Sequence, residues 1–235
     1  MSQVIINEKY STLKEWITSL PSTFSDEGEV IYKARNEIRR ITHEGITFCV
    51  KRYHKPRFPN NLIYTFFRQP KAIRAYRNAE LLTCEGFSTP EVVACILQGH
   101  PLGYSYLITL CSPLTRRFYE FRQHGIEGYE PLLDLLGTMA GRMNDRGILH
   151  KDFSPGNILF DRIDGEWKID LVDINRMYFG PVSIHRGCRN FARLWGDERL
   201  LERVARAYAR QRNFDEDRCV ELSIVAWKKF WKHRK

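Results

Sequence analysis

At 235 residues, 43% of them hydrophobic and 28% charged, the chain has the length and composition of an ordinary globular protein able to bury its own core, and no repeat or low-complexity tract points elsewhere. The excess of 37 basic over 28 acidic residues, a formal charge of +9, favours anionic partners: nucleic acid, anionic lipid, or a phosphorylated or carboxylated substrate. The same charge also fits a solvated face that binds nothing. Basic residues gather in 51–57, at Arg68, Lys71, Arg74 and Arg77, and in the terminal stretch 227–235.

The opening stretch, Met1 to Trp16, carries charges where a signal peptide needs an apolar core. No apolar run approaches the ~18–20 residues that span a bilayer. A cytoplasmic chain is expected, with contact to a membrane surface left open. Six cysteines (Cys49, Cys84, Cys95, Cys111, Cys188, Cys219) are scattered without a CxxC pair, so reduced, mostly buried thiols are expected rather than a disulfide framework or zinc site.

Residues 29–53 alternate short β-rich runs with turn signals: Val30-Ile31-Tyr32, then Ile38 and Ile41 around a pair of arginines, a turn at His43-Glu44-Gly45, and a third run from Ile46 to Tyr53. A strand meander is predicted there. After Pro70 the apolar spacing of Ile73, Tyr76, Ala79 or Leu81, and Leu82 predicts a helix, stopped by Gly86. Two strands follow, over 91–98 and from about Tyr104 to Leu110, joined by a turn through Gly99-His100-Pro101. Next, Pro131 opens a helix with Leu132, Leu135, Leu136, Met139 and Met143 on one face, ended by Gly147. A loop, a hairpin turning at Asp164-Gly165 and the strand Trp167–Asp173 come after it, and from about Arg189 the chain reads as mostly helical. The organisation expected is an α+β fold: a β-rich lobe over 1–110 and a helical lobe over 111–235, forming one domain overall.

The strongest chemical signal is His150-Lys151-Asp152-Phe153-Ser154-Pro155-Gly156-Asn157-Ile158-Leu159. Phosphoryl transfer asks a protein for positioning and charge neutralisation rather than covalent chemistry. A carboxylate that orients the acceptor hydroxyl and takes up its proton suits Asp152. An oxygen ligand five residues on can reach Mg²⁺ from the same loop, which suits Asn157. A second carboxylate to grip the metal suits Asp173, at the end of the following hairpin. Either loop residue alone would read as an ordinary turn former; the spacing behind an amphipathic helix is what favours chemistry. His150 reads as a buried, hydrogen-bonded scaffold for the loop rather than an acid or base. Lys51, on the third predicted strand, is the natural phosphate ligand. Glu80 is the nearest glutamate on the following helix to hold it, with Arg77 one turn earlier on a similar face, so the pairing stays open.

A VxK on a third strand, HxDxxxxNIL and a strand-final Asp together resemble the protein-kinase-like fold. The details (Arg35-Asn36, FCVKRYHKP, EGFSTPEVVA, LHKDFSPGNILFD, LVDINRM and AYARQRNFD) are similar to the lipopolysaccharide core sugar kinases, the Kdo/heptose kinase family, over roughly residues 30–215. That resemblance implies ATP- and Mg²⁺-dependent phosphorylation of a sugar hydroxyl on a lipid A-core precursor, at the cytoplasmic side of the inner membrane. Three departures stand out. No GxGxxG lies between 29 and 45, so Arg35, Asn36 and backbone amides would have to cradle the phosphates. The acidic residue the family carries near position 77 is absent, and DFG is replaced by Asp173-Ile174-Asn175.

The stretch after Asp173 contains no Ala-Pro-Glu, and no lysine stands two residues past Asp152, so a small or membrane-borne acceptor fits better than a peptide. The tail, with Trp227, Phe230 and Trp231 among lysines, reads equally as an interfacial anchor on anionic lipid or as a terminal helix packed on its lobe. A protein kinase, a kinase for another small molecule and a non-catalytic pseudokinase binding module are the competing readings. Nucleic-acid binding rests on charge alone, since no RNA- or DNA-binding motif accompanies it.

Overall fold

The computed structural model describes residues 2–55, 69–99 and 103–232. The chain divides into two compact units, Met1–Ser112 and Pro113–Lys235. Arg68, the His100-Pro101 turn and the last three residues of the basic tail lie outside the described residues.

The first unit is built on a six-stranded antiparallel sheet in the order β1-β5-β6-β4-β3-β2. Its strands are β1 (Ser2–Ile6), β2 (Glu29–Lys33), β3 (Glu37–His43), β4 (Ile46–Tyr53), β5 (Val92–Gln98) and β6 (Ser105–Leu110). The meander expected over 29–53 is β2-β3-β4. Its second hairpin turns on Glu44 and Gly45, both at positive φ (48° and 76°), as a tight two-residue turn that matches strand twist requires. The helix after Pro70 is α2 (Lys71–Cys84), following α1 (Lys14–Thr23).

The patterns read above assign no element to residues 2–24. They form β1, which pairs with β5, and α1, which supplies much of the unit's core. Tyr10, Leu13, Trp16, Ile17, Leu20 and Phe24 pack against Phe48, Val50, Ala94, Ile96, Tyr106 and Ile108. Ala94 and Ile96 of β5 join that cluster, while Cys95 between them feels the charges of Arg77 and Glu80 on α2. Alternate residues of a strand face opposite sides, so both faces of β5 are covered, and Val92–Leu97 is buried throughout.

The cysteine expectation needs correction. Cys49 on β4 and Cys111 just past β6 form a disulfide, their Cα atoms 5.1 Å apart despite a separation of 62 residues. Neighbouring strands bring together what the sequence keeps apart: Cys49 faces Thr109 in the β4–β6 register. Cys95, Cys188 and Cys219 are buried thiols, and Cys84 is exposed.

The second unit carries β9 (Ile158–Ile163) and β10 (Glu166–Leu171), joined through Asp164 and Gly165 at positive φ, with the two-residue β7 (Arg116–Arg117) alongside β9. A separate pair joins β8 (Ile148–His150) to β11 (Met177–Phe179). Its helices are α3 (Glu130–Asp145), α4 (Ile184–Asn190), α5 (Glu198–Gln211) and α6 (Glu216–Lys232), with a 3-10 turn at Phe191–Arg193.

The buried face of α3 differs from the predicted stripe. Leu132, Leu136 and Met143 are buried, but Leu135 is exposed and Met139 half-buried. Gly137 and Gly141 explain the rotation. A Cβ on Gly137 would stand 2.3 Å from the Val204 carbonyl oxygen, and one on Gly141 would stand 2.6 Å from Gln211 Cγ. The two glycines are where α5 comes closest, so the packed face runs through them.

Candidate active site

The loop after β8 is anchored from both ends. At the end of α3, the side chain of Asn144 donates from Nδ2 to the Ile148 carbonyl at 3.0 Å and accepts from the Tyr208 hydroxyl at 3.0 Å. Arg212 donates to that hydroxyl at 2.7 Å and to Asp145 at 2.8 Å. Burial pushes the Tyr208 hydroxyl up to about 12. Gly147, at φ 69°, makes the sharp exit from α3 into β8.

His150 is buried, 1% exposed, and works with both ring nitrogens. The Asp152 backbone N–H donates to Nδ1 at 3.1 Å, so the proton sits on Nε2, which lies 3.1 Å from the Val172 carbonyl and donates to it. Burial holds the imidazole below its usual pKa, against the Val172 carbonyl and the charges of Asp152 and Asp173, which favour the protonated ring. A neutral ring with both nitrogens engaged is a brace.

Two further bonds stitch the loop to the segment after β10. The Val172 N–H donates to the Asn157 carbonyl at 3.0 Å, and the Lys151 N–H to the Arg176 carbonyl at 3.0 Å. The β9–β10 register pairs Ile158 with Leu171, which puts Asn157 and Val172 at matching ends of the hairpin. Asn157 turns its amide inward: Nδ2 donates to the Asp152 carbonyl at 2.9 Å, leaving Oδ1 as its acceptor. Asp173 follows Val172 directly, at φ 56°, a left-handed conformation that Asp tolerates better than most residues. Asn175 donates to its Oδ1 at 2.5 Å. Asp152, Asn157 and Asp173 thus share one hydrogen-bonded frame.

Sequence reasoning did not reach the partners of Asp152. Its carboxylate, 14% exposed, receives Arg176 Nη2 on Oδ2 at 2.5 Å and Arg193 Nη1 on Oδ1. Nothing local in the sequence marks either arginine, since they stand 24 and 41 residues away.

In the first unit, Lys51 is half-buried on β4, between Ile38 and Leu107 of the neighbouring strands, with Nζ over the Tyr53 ring at 5.1 Å. Glu80 is exposed on α2, where after burial it is the next influence raising the Tyr76 hydroxyl, to about 12. Arg35 is exposed in the turn between β2 and β3. The neighbouring Asn36 accepts the His54 backbone N–H at 3.3 Å. The acidic residue most firmly embedded there is one the sequence did not single out. Burial works to raise the Glu37 carboxyl, but bonds from Arg39 at 2.8 Å and Arg52 at 2.7 Å prevail and hold it below the usual carboxylate range.

The tail's aromatics are engaged with their own unit. Trp227 Nε1 donates to the Leu194 carbonyl at 2.9 Å, and the Trp231 ring lies 6.3 Å from that of Trp195. Lys228, Lys229 and Lys232 remain exposed.

The model of the lipopolysaccharide kinase (Kdo/WaaP) family matches residues 21–194. The chain belongs to that family. It is therefore a kinase, a phosphotransferase of lipopolysaccharide biosynthesis, and a sugar kinase of the core. Among solved structures, "WaaP in complex with acyl carrier protein" superimposes with a TM-score of 0.68 at 16% identity, covering 98% of each chain. At that identity the likeness speaks to the fold, which is kinase-like. No curated protein matches the chain. Membership of a kinase family implies ATP use. Among the described residues no helix is long and apolar enough to cross a membrane. Nor do three or more His, Cys, Asp or Glu gather there to hold a metal unaided.

Proposed function

We propose that this kinase phosphorylates a sugar hydroxyl, on Kdo or heptose, of a lipid A-core precursor, with Asp152 as the catalytic base. The acceptor oxygen bonds to the γ-phosphorus of ATP, the bond from that phosphorus to the β,γ-bridging oxygen breaks, and ADP leaves with the electron pair. The hydroxyl proton passes to the Asp152 carboxylate. The observation that carries this is the frame just described: the Asn157 amide bonded to the Asp152 carbonyl, and Val172, beside Asp173, bonded to the Asn157 carbonyl.

Asn157 Oδ1 and the Asp173 carboxylate would hold Mg²⁺. The donor set fits: both are hard oxygen ligands, and Mg²⁺ is held by one or two carboxylates together with substrate phosphates and water rather than by an all-protein cage. When bound, the ion supplies charge neutralisation across the phosphates. In the first unit, Lys51 is the proposed phosphate ligand, Glu80 its proposed partner and Arg35 a further phosphate contact, so that 1–110 serves nucleotide binding and 111–235 catalysis. The enzyme would work in the cytoplasm, at the inner membrane. Lysines 228, 229 and 232 are exposed on α6, and each basic residue near an anionic surface adds on the order of 1 kcal/mol.

The test is transfer of labelled phosphate from ATP to a Kdo-bearing lipid A precursor. Asp152→Asn should lose at least about 10²–10³ in turnover. Asn157→Ala and Asp173→Ala should need more Mg²⁺ for half-maximal rate. A normal rate with Asp152→Asn removes Asp152 from the mechanism.

A further inference from the structure

The base of this kinase is covered. Asp152 is an acceptor-only carboxylate, and each of its oxygens already receives a guanidinium, from Arg176 and from Arg193. Those arginines are far more open than the group they hold, with side chains 52% and 41% exposed against 14%. Among the described residues Asp152 is their shared acidic partner. Two cations on one anion leave this ion-pair cluster with one positive charge in excess, beside the carboxylate of Asp173.

An aromatic pair stands beside the loop that carries Asn157. The Tyr119 ring lies over Gly156, where a Cβ would come within 2.6 Å of its hydroxyl oxygen, one residue before Asn157. Tyr119 is 44% exposed, and its ring meets that of Trp195 at 4.7 Å between centroids. Trp195 is two residues past Arg193, and the Arg122 guanidinium lies over its ring, 5.0 Å from the centroid. An aromatic face offers the C–H side of a sugar ring a platform, and paired guanidiniums offer a carboxylate or phosphate a forked, charge-assisted site.

We propose that Arg176 and Arg193 receive an anionic group of the acceptor, with Tyr119 beside its ring, and that this exchange uncovers the base. The acceptor is thus an acidic sugar or a sugar flanked by phosphate. Drawing either guanidinium to the acceptor's anion takes a neutralising cation off Asp152 and opens that oxygen to the acceptor hydroxyl. This rests on Asp152 being the base. Arg176 and Arg193 act here as acceptor-specificity residues.

The experiment uses the purified full chain and three acceptors: a Kdo-bearing lipid A precursor, the same lipid with the Kdo carboxyl converted to its amide, and the same lipid with its phosphates removed. Initial rates are measured for wild type, Arg176→Gln, Arg193→Gln and the double variant. One neutralised acceptor should lower wild-type kcat/KM roughly ten- to a hundredfold, the scale of a lost charge-assisted bond, and which one does so identifies the anion. The double variant should show little preference between that acceptor and the parent while its KM for ATP holds. Lysine at both positions should restore part of the preference by restoring charge. Should the double variant fail to fold, each single variant must still lose part of the discrimination. Equal discrimination in wild type and variants overturns the proposal. So does a wild type indifferent to both neutralised acceptors. If Asp152→Asn keeps its rate, it is the assignment of the base that has failed. If Asp152→Asn is inactive and the discrimination survives without the arginines, only the present inference has.

Discussion

His150 offers the sharpest separation of brace from catalyst. Its two nitrogens join different chain segments: Nδ1 accepts from the Asp152 N–H and Nε2 donates to Val172, both at 3.1 Å. Asparagine at 150 can replace the first bond only, since its amide oxygen takes the Nδ1 position, and glutamine can reach the second only. Each variant strands one partner in a site 1% exposed, at a cost of about 1–3 kcal/mol, and alanine strands both and leaves a cavity, for a total of about 3–5 kcal/mol. Acid adds an independent signature. Because burial holds the folded-state pKa of His150 below its unfolded value, near 6.5, the unfolded chain binds the extra proton as pH falls through that value. Stability should therefore fall below pH ~6.5, by at most about 1.4 kcal/mol per pH unit from this group, and be unaffected by it above. Urea melts from pH 5 to 8 on wild type and the asparagine, glutamine and alanine variants would test this, with phosphoryl transfer measured on the same preparations. The asparagine and glutamine variants should lose that acid slope and keep the shape of the kcat–pH profile. A variant of unchanged stability that loses one limb of the profile would make His150 an acid or base and refute the bracing role.

Two further outcomes follow from the same anchor. Tyr208→Phe removes the donor to buried Asn144 and a partner of Arg212, and should destabilise the chain by about 1–3 kcal/mol in chemical denaturation while leaving KM for ATP unchanged. Gly187→Ala would place a Cβ 1.8 Å from the Tyr208 hydroxyl oxygen and 2.8 Å from Asn144 Oδ1, so it should break this network and lower the thermal midpoint by more than Tyr208→Phe does.

The loop over 150–157 was legible because the residues that mark it are local. His150, Asp152 and Asn157 lie within eight consecutive positions, and Asp164-Gly165 announces the hairpin that returns the chain to Asp173. What the sequence hid was non-local or silent. The disulfide joins strands through a 62-residue excursion, and the arginines on Asp152 arrive through the β8–β11 pairing and the 3-10 turn at Phe191–Arg193. The face of α3 was misjudged because its closest approach to α5 runs through Gly137 and Gly141, residues that add nothing to a hydrophobic pattern. The first helix did carry a signal, in Trp16, Ile17, Leu20 and Phe24, at a spacing that fits one helical face.

The same geometry accounts for an amide, rather than a second carboxylate, at position 157. Its Nδ2 must donate to the Asp152 carbonyl, and a carboxylate has no proton for that bond. An aspartate there would set two oxygens against each other at 2.9 Å and loosen the loop that carries Asp152. With asparagine, one end of the side chain fixes the backbone of Asp152 while the other keeps an acceptor oxygen. His150 divides its labour in the same way, one nitrogen to the loop and one to the segment before Asp173. Two neutral, two-ended side chains thus hold the loop of Asp152 against the segment that carries Asp173.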